Sequence, residues 1–268
     1  MNVLVVGAGG FIGKHLVARL KKDGHSVVEA GRYSFYQYYD GKYLNDLIRK
    51  NNFDHVYNLS AYGNMFFQKN AEETIKANIT NTTNLLNWCK DSDIQAFIQV
   101  STSAVMLNTQ NMYSLTKQIG EHICHLFKKA YEMPVGIIRP MSVYGPGESD
   151  FRFIPTVFRS CLENEPMMLE PNAVHDWIYI DEFIEDMITL PELIDSNPTL
   201  QIRTSGTGIL TKNSDVVTII EKITKKKANI QERTVLRDLN WQDLDLKHLS
   251  PPKITLEQGL KKIYNSLI

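Results

Sequence analysis

The absences in this chain narrow its identity first. Cysteine is scarce: Cys89, Cys124 and Cys161 are the three in 268 residues, widely spaced and odd in number. That excludes a disulfide framework and offers no metal-ligand spacing. No metal is expected, and the thiols fit a reducing compartment. Long apolar runs are missing as well. No stretch approaches the roughly 18 apolar residues of a membrane span, and the chain opens on a strand-like segment without a charged leader. Nor does either sign of charge dominate. Lys and Arg number 29 against 30 Asp and Glu, for a net charge of -1. No basic field invites nucleic acid or an anionic membrane, and Lys225, Lys226 and Lys227 read as a solvated helix end. There is no repeat and no low-complexity linker. The expectation is a cytoplasmic protein with neither nucleic acid nor membrane as partner.

What remains is ordinary globular composition, 43% hydrophobic and 22% charged, sufficient for a large core. "NVLVVG" (2–7) is an unbroken apolar run ending in Gly, which suits a strand buried on both faces. "FIGKHLVARLKKDG" (11–24) carries a helical apolar stripe with Gly24 beyond its end. Strand-like segments recur at 25–30, 54–61, 94–102 and 134–140. Helical ones alternate with them at 43–52, 70–91 and 113–132. That alternation predicts an α/β fold: a doubly wound parallel sheet, Rossmann-like. After Pro140, Gly, Pro and shorter elements dominate, and a smaller C-terminal substrate-binding lobe is expected. The expected division is 1–143 with 172–200 for the dinucleotide lobe, and 144–171 with 201–268 for the substrate lobe.

The stretch "GAGGFIG" (7–13) closes the first strand and opens the first helix. Gly7 permits a tight turn, Gly10 lets backbone approach a pyrophosphate, and Gly13 allows close helix–strand packing. The helix N-terminus then favours the anion. The spacing is GxxGxxG rather than GxGxxG. An acid at the end of the second strand would mark NAD. That strand ends "VVEAGRYS", with Gly31 and Arg32 where the acid would stand, and an Arg there suits a 2′-phosphate. NADP is therefore the expected cofactor, with NAD as the other possibility; Glu29 lies two residues too early.

"YSLTK" places Tyr113 and Lys117 at i and i+4 on one helical face. "VSTSAV" puts Ser101, Thr102 and Ser103 at the end of the fourth strand, the edge that faces ligand in such sheets. A phenol with an ordinary pKa near 10 is a poor acid–base group. An ammonium about 4 Å away, at an effective dielectric near 20, would stabilise its phenolate by about 4 kcal/mol. The set suits proton transfer at a carbonyl or alcohol coupled to hydride transfer.

These motifs, in this order, resemble the extended short-chain dehydrogenase/reductases, in particular those acting on nucleotide sugars. The resemblance spans nearly the whole chain. It also rests on "DHVYNLSA" (54–61), Asn78, "RPMSVYGPG" (139–147), "HDWIYIDEF" (175–183) and "TLEQGL" (255–260). It implies that Thr102, Tyr113 and Lys117 are catalytic, Tyr113 as acid/base and Lys117 lowering its pKa. It implies cofactor contacts from Gly7, Gly10, Phe11, Ile12 and Gly13, from Arg32 and Asp40, from Leu59 and Ala61, and from Tyr113 and Lys117. Substrate contacts are expected from Tyr62, Ser103, Ser142 and His175. Asn78 is expected to brace the Tyr-bearing region, and a homodimer through the two long helices is implied.

Four departures from the family pattern matter. Ser103 and Ala104 stand where 4,6-dehydratases carry Asp-Glu, and Ala104 has no proton to move. Thr102 and Tyr113 are unusually close in sequence. Ser142 replaces an expected Asn, and His175 an expected Arg that would pair with a diphosphate. The resulting expectation is an NADP-dependent reductase of a 4-keto deoxy nucleotide sugar. An NAD-dependent nucleotide-sugar C4 epimerase is the alternative, and a non-catalytic NAD(P) sensor a more distant one. His15, His25, His55 and His125 read as packing or surface residues. Trp88, Trp177 and Trp241 read as core anchors, and Glu182 with Asp186 as a solvated helix face.

Overall fold

The computed structural model describes residues 1–31, 42–108, 111–195, 199–232 and 241–268. The apolar runs become strands of one six-stranded sheet: β1 (Asn2–Val6), β2 (Ser26–Ala30), β3 (His55–Asn58), β4 (Ala96–Val100), β5 (Val135–Pro140) and β9 (Gln201–Ser205), in the order β2-β1-β3-β4-β5-β9. β1 pairs in parallel with both β2 and β3, and β4 in parallel with both β3 and β5. Every residue of β3 and β4 is buried. This explains why these strands read as continuous apolar runs rather than alternating ones. The strand order reverses at β1, so the chain leaves β1 and β3 on either side of a crevice at their carboxyl ends.

The connections are helical: α1 (Phe11–Lys22), α2 (Lys42–Lys50), and a helical run of α3 (Ala71–Ile75), a π-helical turn (Lys76–Thr80) and α4 (Asn81–Cys89). A long helix, α5 (Met112–Tyr131), precedes β5. The periodic apolar faces predicted for these segments are the faces they bury. Leu85, Leu86 and Cys89 of α4 and Leu44 and Ile48 of α2 pack on Leu4, Val6, Val56, Phe97, Val135 and Ile137 of the strands. Each fully buried aliphatic or aromatic side chain there contributes roughly 1.5–3 kcal/mol.

The contacts divide the chain into two compact units. One holds Met1–Val105, Gln110–Pro140 and Ile184–Thr204. The other holds Met106–Thr109, Met141–Phe183 and Ser205–Ile268. In the second unit, β6 (Ser142–Tyr144), β8 (Val174–Tyr179) and β10 (Leu210–Lys212) form a three-stranded sheet in the order β10-β8-β6. β7 (Pro166–Leu169) and β11 (Asn229–Glu232) pair in parallel. Helices α6 (Phe153–Glu163), α8 (Asn213–Thr224) and α9 (Leu256–Leu267) complete it, and α7 (Ile180–Asp195) runs across the division. Aromatic rings fill this smaller core. Tyr144 meets Trp177 and Tyr179 edge-on, with centroids 6.2 and 5.6 Å away, and Phe153 stacks on Trp177 at 5.9 Å.

Candidate active site

The glycine turn is built for close approach. Gly7 has φ +88°, and its N–H donates to the Ala30 carbonyl at 2.7 Å. A Cβ at Gly7 would stand 2.9 Å from the Leu59 carbonyl carbon. A Cβ at Gly13 would overlap the Gly7 carbonyl oxygen and lie 2.8 Å from Ala8 Cα. Backbone therefore meets backbone on both sides of the turn. Gly10 is the N-cap of α1, has no side chain to close it, and no acidic residue occupies the first turn. The first N–H groups of α1 are left for an anion. Phe11 and Ile12 are half-buried at this end, with the Phe11 ring edge-on to His15 at 5.4 Å. On the neighbouring strand, Leu59 follows β3, its N–H bonded to the Val6 carbonyl at 2.8 Å, and Ala61 is exposed. A dinucleotide pyrophosphate fits this cradle, because the positions where a side chain would obstruct it are glycines.

Arg32 and Asp40 lie outside the described residues. β2 ends at Ala30, and Glu29 is held on the surface by Lys21 of α1 at 2.6 Å.

The second half of the site begins at an N-cap. Asn111 and Ser114 form a reciprocal capping box, each side chain receiving the other's N–H at 3.0 Å. That sets Tyr113 in the first turn of α5 and Lys117 one turn later. Lys117 is buried, and its ammonium donates to the Val100 carbonyl at 2.6 Å. The helix is thereby fastened to the end of β4, where Ser101, Thr102 and Ser103 follow. Burial pushes the Lys117 pKa down to about 8, against the opposing pull of Cys124 and Glu121. Thr102 is half-buried and its hydroxyl accepts the Ala104 N–H at 3.3 Å. The Ser101 hydroxyl is buried with no hydrogen-bond partner. Ser103 is buried in a 3-10 turn, Ser103–Met106.

Asn78 sits in the π-helical turn, a distortion that re-aims one side chain inward. Its amide brackets the Tyr62 backbone, accepting the N–H at 3.0 Å and donating to the carbonyl at 2.9 Å. It also donates to the Thr116 hydroxyl at 2.9 Å. One buried side chain thus holds the half-buried Tyr62 and the helix bearing Tyr113. Two participants escaped sequence reasoning. Gly63 has φ +99°, and a Cβ there would lie 3.0 Å from Thr74 and 3.6 Å from Tyr113 Cβ. The Gln68 side-chain Oε1 accepts the Gly63 and Met65 N–H groups at 3.0 and 3.1 Å. A lone Gly just past a strand was the available signal.

In the second unit, Ser142 and His175 meet: Oγ to Nδ1 is 3.2 Å. Parallel pairing of β6 with β8 sets Ser142 opposite Trp177 and brings the two motifs together. The His175 ring lies 5.1 Å from Trp177 and 6.4 Å from Trp241, so Trp241 joins this cluster. Beside it, Asp176 is buried and accepts the Thr207 N–H and hydroxyl, both at 2.8 Å, and the Gly208 N–H at 2.7 Å. Burial raises its pKa while these three donors oppose the rise. No cluster of metal-ligating side chains occurs among the described residues, and no helix among them is long and apolar enough to cross a membrane.

With this geometry in hand, the chain can be set beside known proteins. The profile of the NAD dependent epimerase/dehydratase family matches residues 3–202. The chain belongs to this family. It is 26% identical over 328 aligned residues to UDP-glucuronate 4-epimerase 3 of Arabidopsis thaliana, covering 97% of this chain and 75% of that protein. It is 26% identical over 276 residues to YtcB of Bacillus subtilis, an uncharacterised UDP-glucose epimerase, covering 86% of this chain and 84% of that one. Among solved structures, the UDP-glucuronic acid 4-epimerase of Bacillus cereus superposes with a TM-score of 0.81. It has 25% identity and covers 99% of this chain and 98% of that one. It is a Tyr-to-Phe variant crystallised with UDP-4-deoxy-4-fluoro-glucuronic acid and NAD.

Two expectations are overturned by these relatives of the family. The cofactor expectation of NADP gives way to NAD, the cofactor bound in the B. cereus enzyme. The error lay in treating a missing ribose acid at Gly31 as evidence for a phosphate partner at Arg32. Ribose hydroxyls can be met by backbone groups, and a residue type alone does not fix what its side chain faces. The reductase expectation leaned on that cofactor, and it gives way to epimerase, the activity borne in the names of the Arabidopsis and B. cereus proteins.

Proposed function

We propose that this protein is an NAD-dependent C4 epimerase of a nucleotide sugar, most directly a UDP-hexose or UDP-hexuronate. The observation that carries the chemistry is the buried Lys117 ammonium, fixed to the end of β4 one helical turn from Tyr113. An ammonium so placed stabilises the phenolate of Tyr113, the form that accepts a proton. Tyr113 takes the proton from the sugar 4-hydroxyl and later returns one to the 4-keto oxygen, while the Thr102 hydroxyl holds that oxygen without competing for the proton. NAD bound on the glycine turn would supply reversible hydride acceptance at C4. Gly7, Gly10, Phe11, Ile12 and Gly13 would hold its pyrophosphate end, with Leu59 and Ala61 across the crevice and Lys117 at the nicotinamide ribose. Tyr62, Ser103, Ser142 and His175 are the proposed sugar-nucleotide contacts. Ser103 and Ala104 disfavour dehydration, since neither is the carboxyl acid or base that elimination needs. The relatives named above support the UDP-sugar class.

The same reading includes a homodimer. Met112, Leu115, Ile119 and Leu126 leave an exposed apolar stripe along α5, with Ile75 exposed on the neighbouring helical run. The activity test is direct: UDP-glucuronate and UDP-glucose are each incubated with the protein and NAD, and the products separated. Interconversion with the galacto epimer is expected; no conversion of either, alongside consumption of a 4-keto sugar with reduced cofactor, overturns the reading.

A further inference from the structure

One turn beyond Lys117 on α5, Glu121 is buried and gripped by Arg139 of β5, Nε to Oε1 at 2.9 Å and Nη2 to Oε2 at 2.5 Å. Charge pairs of this kind are weak contributors to stability, because desolvation offsets attraction. This pair stands one turn from a working group, Lys117, and that position gives it another use. The groups that face Lys117 are few. From α5 come Glu121 and Cys124, and the thiol, pushed up to about 12 by burial, is neutral. From β4 comes the Val100 carbonyl, and from the π-helical turn the uncharged Asn78, which acts through Thr116. β5 contributes Arg139, already engaged by Glu121. Among the described residues, Glu121 is thus the carboxylate that opposes the loss of charge on Lys117.

We propose that Glu121, held by Arg139, is a positioning residue that decides where the proton shared by Tyr113 and Lys117 resides. The inference rests on the roles given to those two residues above. With one proton between them, the pair is either phenol with neutral amine or phenolate with ammonium. The O–H bond of Tyr113 breaks as an N–H bond forms on Lys117, and the net charge of the pair is unchanged. Glu121 stands one turn from Lys117 and two turns from Tyr113, so it stabilises the ammonium more than it destabilises the phenolate. It biases the pair toward the form that can accept a substrate proton. The titration belongs to the pair, not to either residue alone.

The test needs no substrate. Tyrosinate absorbance at pH 8 is read as the difference between each protein and its Tyr113→Phe counterpart, with melting curves confirming the fold. The wild-type difference is expected to show a phenolate band. In Glu121→Gln it should fall by more than half, with kcat lowered about tenfold, equivalent to ~1.4 kcal/mol, and KM unchanged. Glu121→Asp should largely restore it. Should Glu121→Gln fail to fold with Arg139 unpaired, Glu121→Gln/Arg139→Gln leaves no orphan cation and is read in the same way. An unchanged band in the neutral variants overturns the proposal while leaving the Tyr113–Lys117 reading intact. No band in the wild type removes that reading, and this inference with it.

Discussion

The two units differ in how their polar groups are secured. In the first, the groups assigned to chemistry sit on secondary structure, and local rules fix them. The glycines lie in a strand–turn–helix, and Tyr113 and Lys117 lie one turn apart behind a capping box. In the second, the groups assigned to substrate depend on pairings between distant segments. Ser142 reaches His175 through the register of β6 with β8, and Asp176 organises residues 207 and 208. In the proposed reading the first unit carries the reaction step and two of the sugar contacts, Tyr62 and Ser103. On the same reading, Ser142 and His175 of the second unit can differ from the family's Asn and Arg without disturbing that step.

Substitutions can break this contrast. The largest effect belongs to Tyr113→Phe, which keeps the ring and removes the proton carrier. Its kcat should fall by about 10²–10⁴-fold with cofactor affinity retained, read by turnover and by NAD titration. Activity should also decline as pH rises through about 8, the value to which burial lowers Lys117. A base with a lowered pKa loses its proton at lower pH, and above that point the phenol has no ammonium beside it. Gly13→Ala comes next. Its Cβ has no room against Gly7 and Ala8, so a loss of about 1–3 kcal/mol in stability is expected from overpacking, with weakened NAD retention, both visible in melts with and without NAD.

His175→Arg tests the other unit. A permanent cation facing a diphosphate makes charge-assisted bonds worth roughly 1.5–3 kcal/mol, so KM should drop at least tenfold while kcat stays within a factor of about two. The smallest effect is expected for Leu115→Glu on the α5 stripe. It should shift sedimentation from dimer toward monomer and alter kcat by less than about twofold, since exposed substitutions away from the site perturb little.

How much was legible in the sequence follows the same division. Period and turn chemistry are local, so the alternating strands and helices up to Pro140, the glycine turn and the i, i+4 pair were readable, whereas the short strands β6, β7, β8, β10 and β11 and the helix α6 of the second unit were not. Distant pairing was not. Nothing near Glu182 announced that it would accept the backbone N–H groups of Lys253 and Ile254, or near Asp186 that it would pair with Arg203. Both had read as a solvated face. The double grip of Asn78 on Tyr62 and Thr116 needs the π-helical turn, which has no sequence signature. The NADP expectation failed for a related reason: Arg32 was read by residue type alone, and a side chain's type says little without its partner.

The central claim, reversible oxidation and re-reduction at C4 of a nucleotide sugar, is tested most directly by following deuterium at that carbon. UDP-glucuronate or UDP-glucose carrying deuterium at C4 is incubated with the protein and NAD in ordinary water, and both epimers are analysed by NMR. The label is expected to stay at C4 in substrate and product alike. Label washed out to solvent, moved to C6, or left in place because no epimer forms would contradict it.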